Sequence, residues 1–254
     1  PTDYVAGYSM YEGAGDVLHD ISFDPVAHDN DGAITGATWV AGKGCPACSG
    51  LLMNAATGGQ AEIPDSDSLD LTGAGTVACW IYMNSFAEWG GIIHKGEDQS
   101  SVNGVFLDET YTLQFTENGR VNIGRFNTSN RGDRRPIFCV IPDPTPWWNL
   151  WGLRSDMDCV LTDTRLEPDT WYHLAATWDA GANQMVMYVN GVAEDTLNAP
   201  IDPARVSDGS MTIGAQFGDA NLPFDGIVDE VYLYDRALSA TEVQALYQDG
   251  LRQP

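Results

Sequence analysis

The sequence predicts an all-β protein, a two-sheet antiparallel sandwich that ends in a short helix. The first observation is a β-hairpin over residues 171–191, in which two aromatic and β-branched runs are separated by turn residues. Alternation places apolar side chains on both faces of its second run, which is typical of a sheet covered on each side. The second is an apolar core strand at 76–83. The third is a strand at 226–234, followed by a Ser239/Glu242 capping box that starts a helix.

The remaining elements follow from alternation and turn residues taken in chain order. A first strand ends near Glu12, and a polar loop then runs to about Gly36. Further strands are predicted at 33–39, 50–54, 60–64, 91–95, 111–116, 120–126 and 211–214. The segment 127–168 does not continue this pattern and is predicted to be an insertion.

Three segments carry a family resemblance: 76–83, 171–191 and 224–239. They resemble strands of the laminin-G-like branch of the concanavalin A-like lectin/glucanase superfamily, and they occur in that family's order. The resemblance implies one jelly-roll domain over residues 1–254, with a Trp- and Arg-rich insertion at about 127–168. It does not by itself imply an activity, because this fold carries lectins, adhesion modules, hydrolases and lyases.

The charge of the chain limits its partners. With 36 acidic and 12 basic residues, the formal net charge is −24. Such a field repels nucleic acids and anionic membranes. One interpretation of the acidic surface is adaptation to salt, and another is that some aspartates bind Ca²⁺. No run of about 18 apolar residues could span a bilayer, and the N-terminal residues do not resemble a signal peptide. We therefore expect no membrane insertion, and a chain that is part of a larger polypeptide or assembly.

Five cysteines indicate an oxidising compartment. We predict two disulfides, Cys45–Cys48 and Cys139–Cys159, and a buried free thiol at Cys79 in the core strand. A zinc site at Cys45 and Cys48 is the alternative, but no second pair of close cysteine or histidine ligands accompanies it. The disulfides favour an extracellular or cell-surface location.

The resemblance also implies a structural Ca²⁺ site. In related jelly rolls, an aspartate of the last strand helps to hold Ca²⁺ with oxygens from the end of the first strand. The positions carried over to this sequence are Glu12, Asp20 and Asp229. The alternative is that Asp229 pairs with Arg236 or accepts hydrogen bonds from backbone amides.

The insertion is the candidate ligand-binding segment. Aromatic rings stack on the C–H faces of sugars, and arginines donate directed hydrogen bonds to hydroxyl or carboxylate groups. The alternative is that the tryptophans fill a small core over the sandwich. The predicted ligand-binding residues are Trp147, Trp148, Trp151, Trp89, Arg131, Arg134 and Arg135.

Catalysis is not favoured by the sequence. The adjacent acids Asp108–Glu109 and Asp229–Glu230 are predicted to point to opposite faces of their strands, which suits no paired-carboxylate mechanism. Residues used by lyases are present without a signature spacing: His94, His173, Tyr111 and Arg125.

The sequence therefore predicts an extracellular, Ca²⁺-stabilised, lectin-like module that binds a glycan. The alternative is a protein-interaction or adhesive module of a larger surface protein or filament. A polysaccharide-degrading enzyme on the same scaffold is the third hypothesis.

Overall fold

The computed structural model describes residues 1–22, 30–44, 48–87, 89–97, 108–115, 134–142, 158–216 and 222–252. These residues form two antiparallel sheets that pack face to face and one C-terminal helix, α1 (Ala240–Arg252). The predicted two-sheet sandwich with a terminal helix is confirmed. Among the described residues, no helix is both long and apolar enough to cross a membrane.

Strands are labelled in chain order. The order in the first sheet, sheet A, is β14 (Val192–Asn198), β13 (Gln184–Val189), β12 (Trp171–Asp179), β7 (Ala74–Met83), β16 (Gly226–Tyr234), β5 (Ser49–Met53) and β4 (Thr38–Ala41), and β1 (Ala6–Tyr8) also pairs with β16. The order in sheet B is β11 (Asp158–Leu161), β10 (Pro136–Val140), β9 (Asp108–Phe115), β8 (Gly91–Glu97), β15 (Met211–Ile213), β6 (Gln60–Ile63), β3 (Gly32–Thr35) and β2 (Val17–Leu18). A 3₁₀ turn spans Asp67–Leu69.

The predicted hairpin is formed by β12 and β13, which pair from Leu174↔Val189 to Asp179↔Gln184. Its second strand has the predicted two faces, since Met185 and Met187 enter the main core while Val186 and Tyr188 pack in a second cluster with the helix residue Val243. Sheet A is therefore covered on its inner face by sheet B and on part of its outer face by α1.

The helix begins at the predicted capping box. The Glu242 amide donates to Ser239 Oγ at 3.3 Å, and Glu242 Oε2 accepts from the Ser239 amide at 2.8 Å. Arg236 bonds Glu242 as well as Asp3, which ties the helix start to the N-terminus.

Candidate functional site

The outer face of sheet B carries a row of buried side chains, polar on its central strands and ending in the Cys139–Cys159 disulfide, which packs with Ile137 and Leu161. Inner positions of β8, β9 and β10 hold Ile93, Leu113 and Phe138, which belong to the main core. Because strand side chains alternate, the next positions face outward. The register aligns these outward positions across five strands, as Thr212, His94, Thr112, Cys139 and Cys159. All five are buried.

Hydrogen bonds connect this row to the loop before β8. Thr112 Oγ1 donates to Gln114 Oε1 at 3.2 Å, and Gln216 Nε2 donates to the same oxygen. Gln216 Nε2 also donates to the Trp89 carbonyl at 2.7 Å. Trp89 has φ = 60°, an unusual conformation for a bulky residue. The two glutamines therefore hold the backbone that presents one of the predicted ligand-binding tryptophans.

His94 lies at the centre of the row as a neutral imidazole. Burial, and secondarily the neighbouring Lys95 ammonium, lowers the pKa of His94 to about 3. Lys95 points to the other side of the strand, where its Nζ contacts Asp65 at 2.6 Å and Asp70 at 3.4 Å. The imidazole is thus suited to hydrogen bonding with uncharged groups rather than to charge pairing.

The Cys139–Cys159 disulfide closes the row at the edge of sheet B, with the two Cα atoms 4.2 Å apart. This predicted pairing is confirmed. It joins β10 to β11 at the base of the segment 141–157. Cys48 is also disulfide-bonded, and its predicted partner Cys45 lies outside the described residues. The predicted buried free thiol of Cys79 is confirmed as well.

The predicted ligand-binding residues belong to segments that join sheet B at opposite ends. Trp89, Arg134 and Arg135 lie where β8 and β10 begin, since Pro136 pairs with Phe115, and the Phe115 amide donates to the Gly90 carbonyl at 3.1 Å. The segment that carries the three clustered tryptophans leaves from Val140 and returns at Asp158, which pair at the opposite end. Four of the predicted residues lie outside the described part of the chain: Trp147, Trp148, Trp151 and Arg131.

Arg134 has a partner within the chain. Its guanidinium bonds both carboxylate oxygens of Glu167, at 2.6 and 3.0 Å. A bidentate pair of this kind orders the arginine, and a ligand at Arg134 would have to compete with Glu167.

Asp20, one of the predicted Ca²⁺ ligands, is hydrogen-bonded within the chain. Its Oδ1 accepts from the amides of Gly7 and Ser22, and its Oδ2 accepts from Ser22 Oγ and Asn30 Nδ2. A carboxylate has about four acceptor positions, and these four bonds occupy them. Asp20 therefore fastens the loop after β1, and its role as a Ca²⁺ ligand stays a prediction.

Asp229 and Glu12 each keep one oxygen without a bond. Asp229 is 1% exposed; its Oδ2 accepts from the Lys43 amide at 2.7 Å, and its Oδ1 has no partner. Glu12 Oε1 accepts from the His19 amide at 3.0 Å, and its Oε2 has no partner. Asp229 Oδ2 lies beside Gly42 and the Ser49 carbonyl, and Gly13, which follows Glu12 in the chain, lies beside the Ser49 side chain. The described residues contain no group of three or more His, Cys, Asp or Glu that could hold a metal ion, and the predicted Ca²⁺ site stays a prediction.

Asp229 and Glu230 do not point to opposite faces, which corrects the sequence prediction. The pairing of β16 with β7 shifts after Asp229, and Glu230 has φ = 50°. This bulge turns both carboxyl groups to the outer face of sheet A, beside Trp80. Burial, as the first cause, raises the pKa of Asp229 to about 8 and that of Glu230 to about 7.

The residues that a lyase could use are not brought together. His94 lies on the outer face of sheet B, whereas His173 pairs with Trp80 on the outer face of sheet A. Tyr111 points into the core, where its hydroxyl donates to the Leu69 carbonyl at 3.1 Å. Arg125 lies outside the described residues.

Sequence reasoning missed the polar row, although β9 carries a signal for it. Residues 110–115 alternate Thr, Tyr, Thr, Leu, Gln, Phe, so that polar and apolar positions separate cleanly. This alternation indicates that the tyrosine, leucine and phenylalanine side chains enter the core, whereas the threonine and glutamine side chains lie on the opposite face.

The two packed antiparallel sheets form a sandwich of the concanavalin A-like class. A laminin G-type family model, described as the concanavalin A-like lectin/glucanases superfamily, matches residues 125–244. The laminin-G-like resemblance is therefore confirmed. No curated protein sequence matches the chain significantly.

Solved structures agree on the fold. Domain 4 of an extracellular arabinanase from Geobacillus stearothermophilus, solved with arabinotriose, aligns with TM-score 0.65 and 17% identity, over 97% of this chain and 98% of that one. The binding domain of Paraclostridial mosquitocidal protein 1 aligns with TM-score 0.63 and 12% identity, over 97% and 52%. The ligand binding domain of botulinum neurotoxin serotype D, solved with N-acetylneuraminic acid, gives 0.60 and 13%, over 98% and 51%. The chain thus spans about half of each toxin domain.

Proposed function

We propose that the chain is an extracellular carbohydrate-binding module whose ligand contacts lie in the loops at the two ends of the outer face of sheet B. The hydrogen bond from Gln216 to the Trp89 carbonyl is the observation that carries this proposal, because it holds a half-buried tryptophan at one end of this face.

The chemistry of the row suits an uncharged polyhydroxy ligand. The threonine and glutamine side chains of this region bond within the chain, and the imidazole is neutral, so the buried layer beneath the site carries no fixed charge. The net charge of −24 opposes anionic polysaccharides. In this proposal Trp89, Trp147, Trp148 and Trp151 supply stacking surfaces, while Arg131, Arg134 and Arg135 supply directed donors.

The solved relatives support a sugar as the class of ligand. The arabinanase domain was solved with arabinotriose, and one toxin domain was solved with N-acetylneuraminic acid. Arabinotriose is an uncharged oligosaccharide and therefore fits the acidic character of this chain better than the anionic sugar does. A short neutral oligosaccharide is accordingly the ligand class that we propose.

A structural Ca²⁺ ion remains part of the proposal, with Asp229 and Glu12 as its protein carboxylates. The unpartnered buried oxygens Asp229 Oδ1 and Glu12 Oε2 support it, because a buried carboxylate oxygen without a partner is costly. The ion would neutralise charge between the first and last strands and take no part in sugar recognition.

Binding can be tested on a glycan array and then by calorimetry with the glycan that gives the strongest signal. Trp148→Ala and Gln114→Leu should each weaken binding at least about tenfold, because stacking or the Trp89 support is lost. Trp171→Leu, on the outer face of sheet A, is the matched control and should leave sugar affinity unchanged.

Near-UV circular dichroism establishes that each variant is folded. A folded wild-type domain with no array signal would refute the proposed function. Binding that survives Trp148→Ala and Gln114→Leu but is lost in Trp171→Leu would move the sugar site to sheet A.

A further inference from the structure

Helix α1 leaves an aromatic pair on the outer face of sheet A partly exposed. Trp171 pairs with Tyr82 across β12 and β7, and Ile227 pairs with Tyr82 on the other side. In the next row the helix covers Trp80, whose ring stacks on Tyr247 with centroids 5.6 Å apart. The row of Trp171, Tyr82 and Ile227 is only half-buried.

The row covered by the helix shows which chemical groups pack together on the outer face of sheet A. Lys43 Nζ lies 4.6 Å from the centroid of the Trp80 ring, and the Asp229 carboxylate accepts from the Lys43 amide. Glu230 lies on the same side, since a side chain added at Gly250 would meet both Trp80 and Glu230. An aromatic face, a cation and carboxyl groups thus combine within the chain.

The exposed row has two of these three components. The centroids of the Tyr82 and Trp171 rings lie 5.6 Å apart at an interplanar angle of 55°, so the two rings are in tilted contact. The Tyr82 hydroxyl donates to Asp169 Oδ1 at 3.2 Å, and the Asp169 amide donates to the Met83 carbonyl at 2.9 Å. The third component is a cation on the ring, which Lys43 supplies for Trp80 in the covered row.

The charge of the chain indicates which kind of side chain would bind on the exposed aromatic row. A chain of net charge −24 attracts basic partners and repels acidic ones. A guanidinium group stacks on aromatic rings and bonds carboxylates in its plane, whereas an ammonium group acts as a point charge. Asp169 is exposed and anchored at the edge of the aromatic pair, so an arginine is the complementary side chain.

We propose that Trp171, Tyr82 and Asp169 form a docking site for an arginine side chain of a basic partner protein. The site lies on the opposite sheet from the proposed sugar site and does not rest on the proposed function. Arginine inserts its guanidinium against the Trp171 ring and bonds Asp169, whose position Tyr82 fixes.

The probe is a blocked pentapeptide, Gly-Ser-Arg-Ser-Gly, compared with the same peptide carrying citrulline in place of arginine. Citrulline keeps the shape of the side chain and removes its charge. Binding is followed by two-dimensional NMR of the tryptophan indole N–H signals, with the Trp171 signal assigned from its loss in Trp171→Leu. The arginine peptide should shift the Trp171 signal saturably, and the citrulline peptide should bind at least about threefold more weakly.

Two variants separate docking from general attraction to an acidic protein. Asp169→Asn keeps a residue that tolerates the observed φ of 60° and should weaken arginine binding at least about threefold. Asp208→Asn removes the same charge at a distant exposed loop and should leave binding unchanged. Trp171→Leu should lower affinity without any change in net charge.

Equal binding of the arginine and citrulline peptides would overturn the proposal, as would equal effects of Asp169→Asn and Asp208→Asn. A neutral oligosaccharide that shifts the Trp171 signal where the arginine peptide does not would assign this surface to sugar instead. Because Asp169→Asn alters an exposed side chain, the proposal remains testable even if Trp171→Leu does not fold.

Discussion

Replacement of Asp229 by asparagine distinguishes two roles of this residue, a buried protonated carboxyl group and a Ca²⁺ ligand. The asparagine side chain would keep an oxygen that accepts from the Lys43 amide, but it could not ionise. Burial raises the pKa of Asp229 from 3.8 to about 8, so the folded state binds a proton that the unfolded state releases above pH 4. Without metal, this group therefore costs stability as the pH rises from about 4 to about 8.

The size of the effect follows from the same values. One pKa unit corresponds to about 1.4 kcal/mol. Between pH 5 and pH 8.5 the wild type in EGTA should lose on the order of 4 kcal/mol that Asp229→Asn retains. Glu230, whose pKa is also raised, adds a loss of the same sign in both proteins. Saturating Ca²⁺ should stabilise the ionised wild type and leave Asp229→Asn unchanged.

Urea unfolding at pH 5 and pH 8.5, in EGTA and in Ca²⁺, measures these differences. Asp235→Asn, an exposed acid at the end of the same strand, is the control for net charge. Parallel pH dependence of wild type and Asp229→Asn in EGTA would refute the burial argument. Wild-type stability that does not respond to Ca²⁺ at pH 8.5 would refute the metal site.

The other predictions concern stability and are measured by urea unfolding or calorimetry. Lys95→Met should destabilise by about 3–5 kcal/mol, because Asp70 stays buried without its cation; a loss below about 1 kcal/mol would contradict this. Replacing both Cys139 and Cys159 by alanine should cost about 3 kcal/mol, since the crosslink spans 20 residues, and unchanged stability under oxidising conditions would argue against that role. Gly75→Ala should cost about 1–3 kcal/mol, because its methyl group would overlap the Trp178 ring; a neutral result would show that the ring can shift.

The fold could be predicted because its signals are local. The β12–β13 hairpin, the capping box of α1 and the Cys139–Cys159 pair each depend on residues close in sequence or on a simple alternation. The bulge at Glu230 could not be predicted in this way. It depends on how β16 pairs with β7, and Ile-Val-Asp-Glu-Val reads as a regular strand until the partner's register is known.

The roles of polar residues depended on long-range contacts that spacing does not reveal. Asp20 resembles a metal ligand in sequence, but donors from Gly7 and Asn30 occupy its oxygens. The alternation of β9 could have indicated the outward polar row, whereas its alignment with β8 and β10 requires the register.

The two outer faces of the sandwich therefore differ in chemistry. The sheet B face carries buried neutral hydrogen-bonding groups around His94, while the sheet A face combines aromatic rings with carboxyl groups around Trp80 and Trp171. Neutral donors and acceptors match sugar hydroxyls, and rings beside carboxyl groups match cations. If both proposals hold, sugar and basic protein would bind on opposite sheets without competition, and each ligand should leave the affinity for the other unchanged.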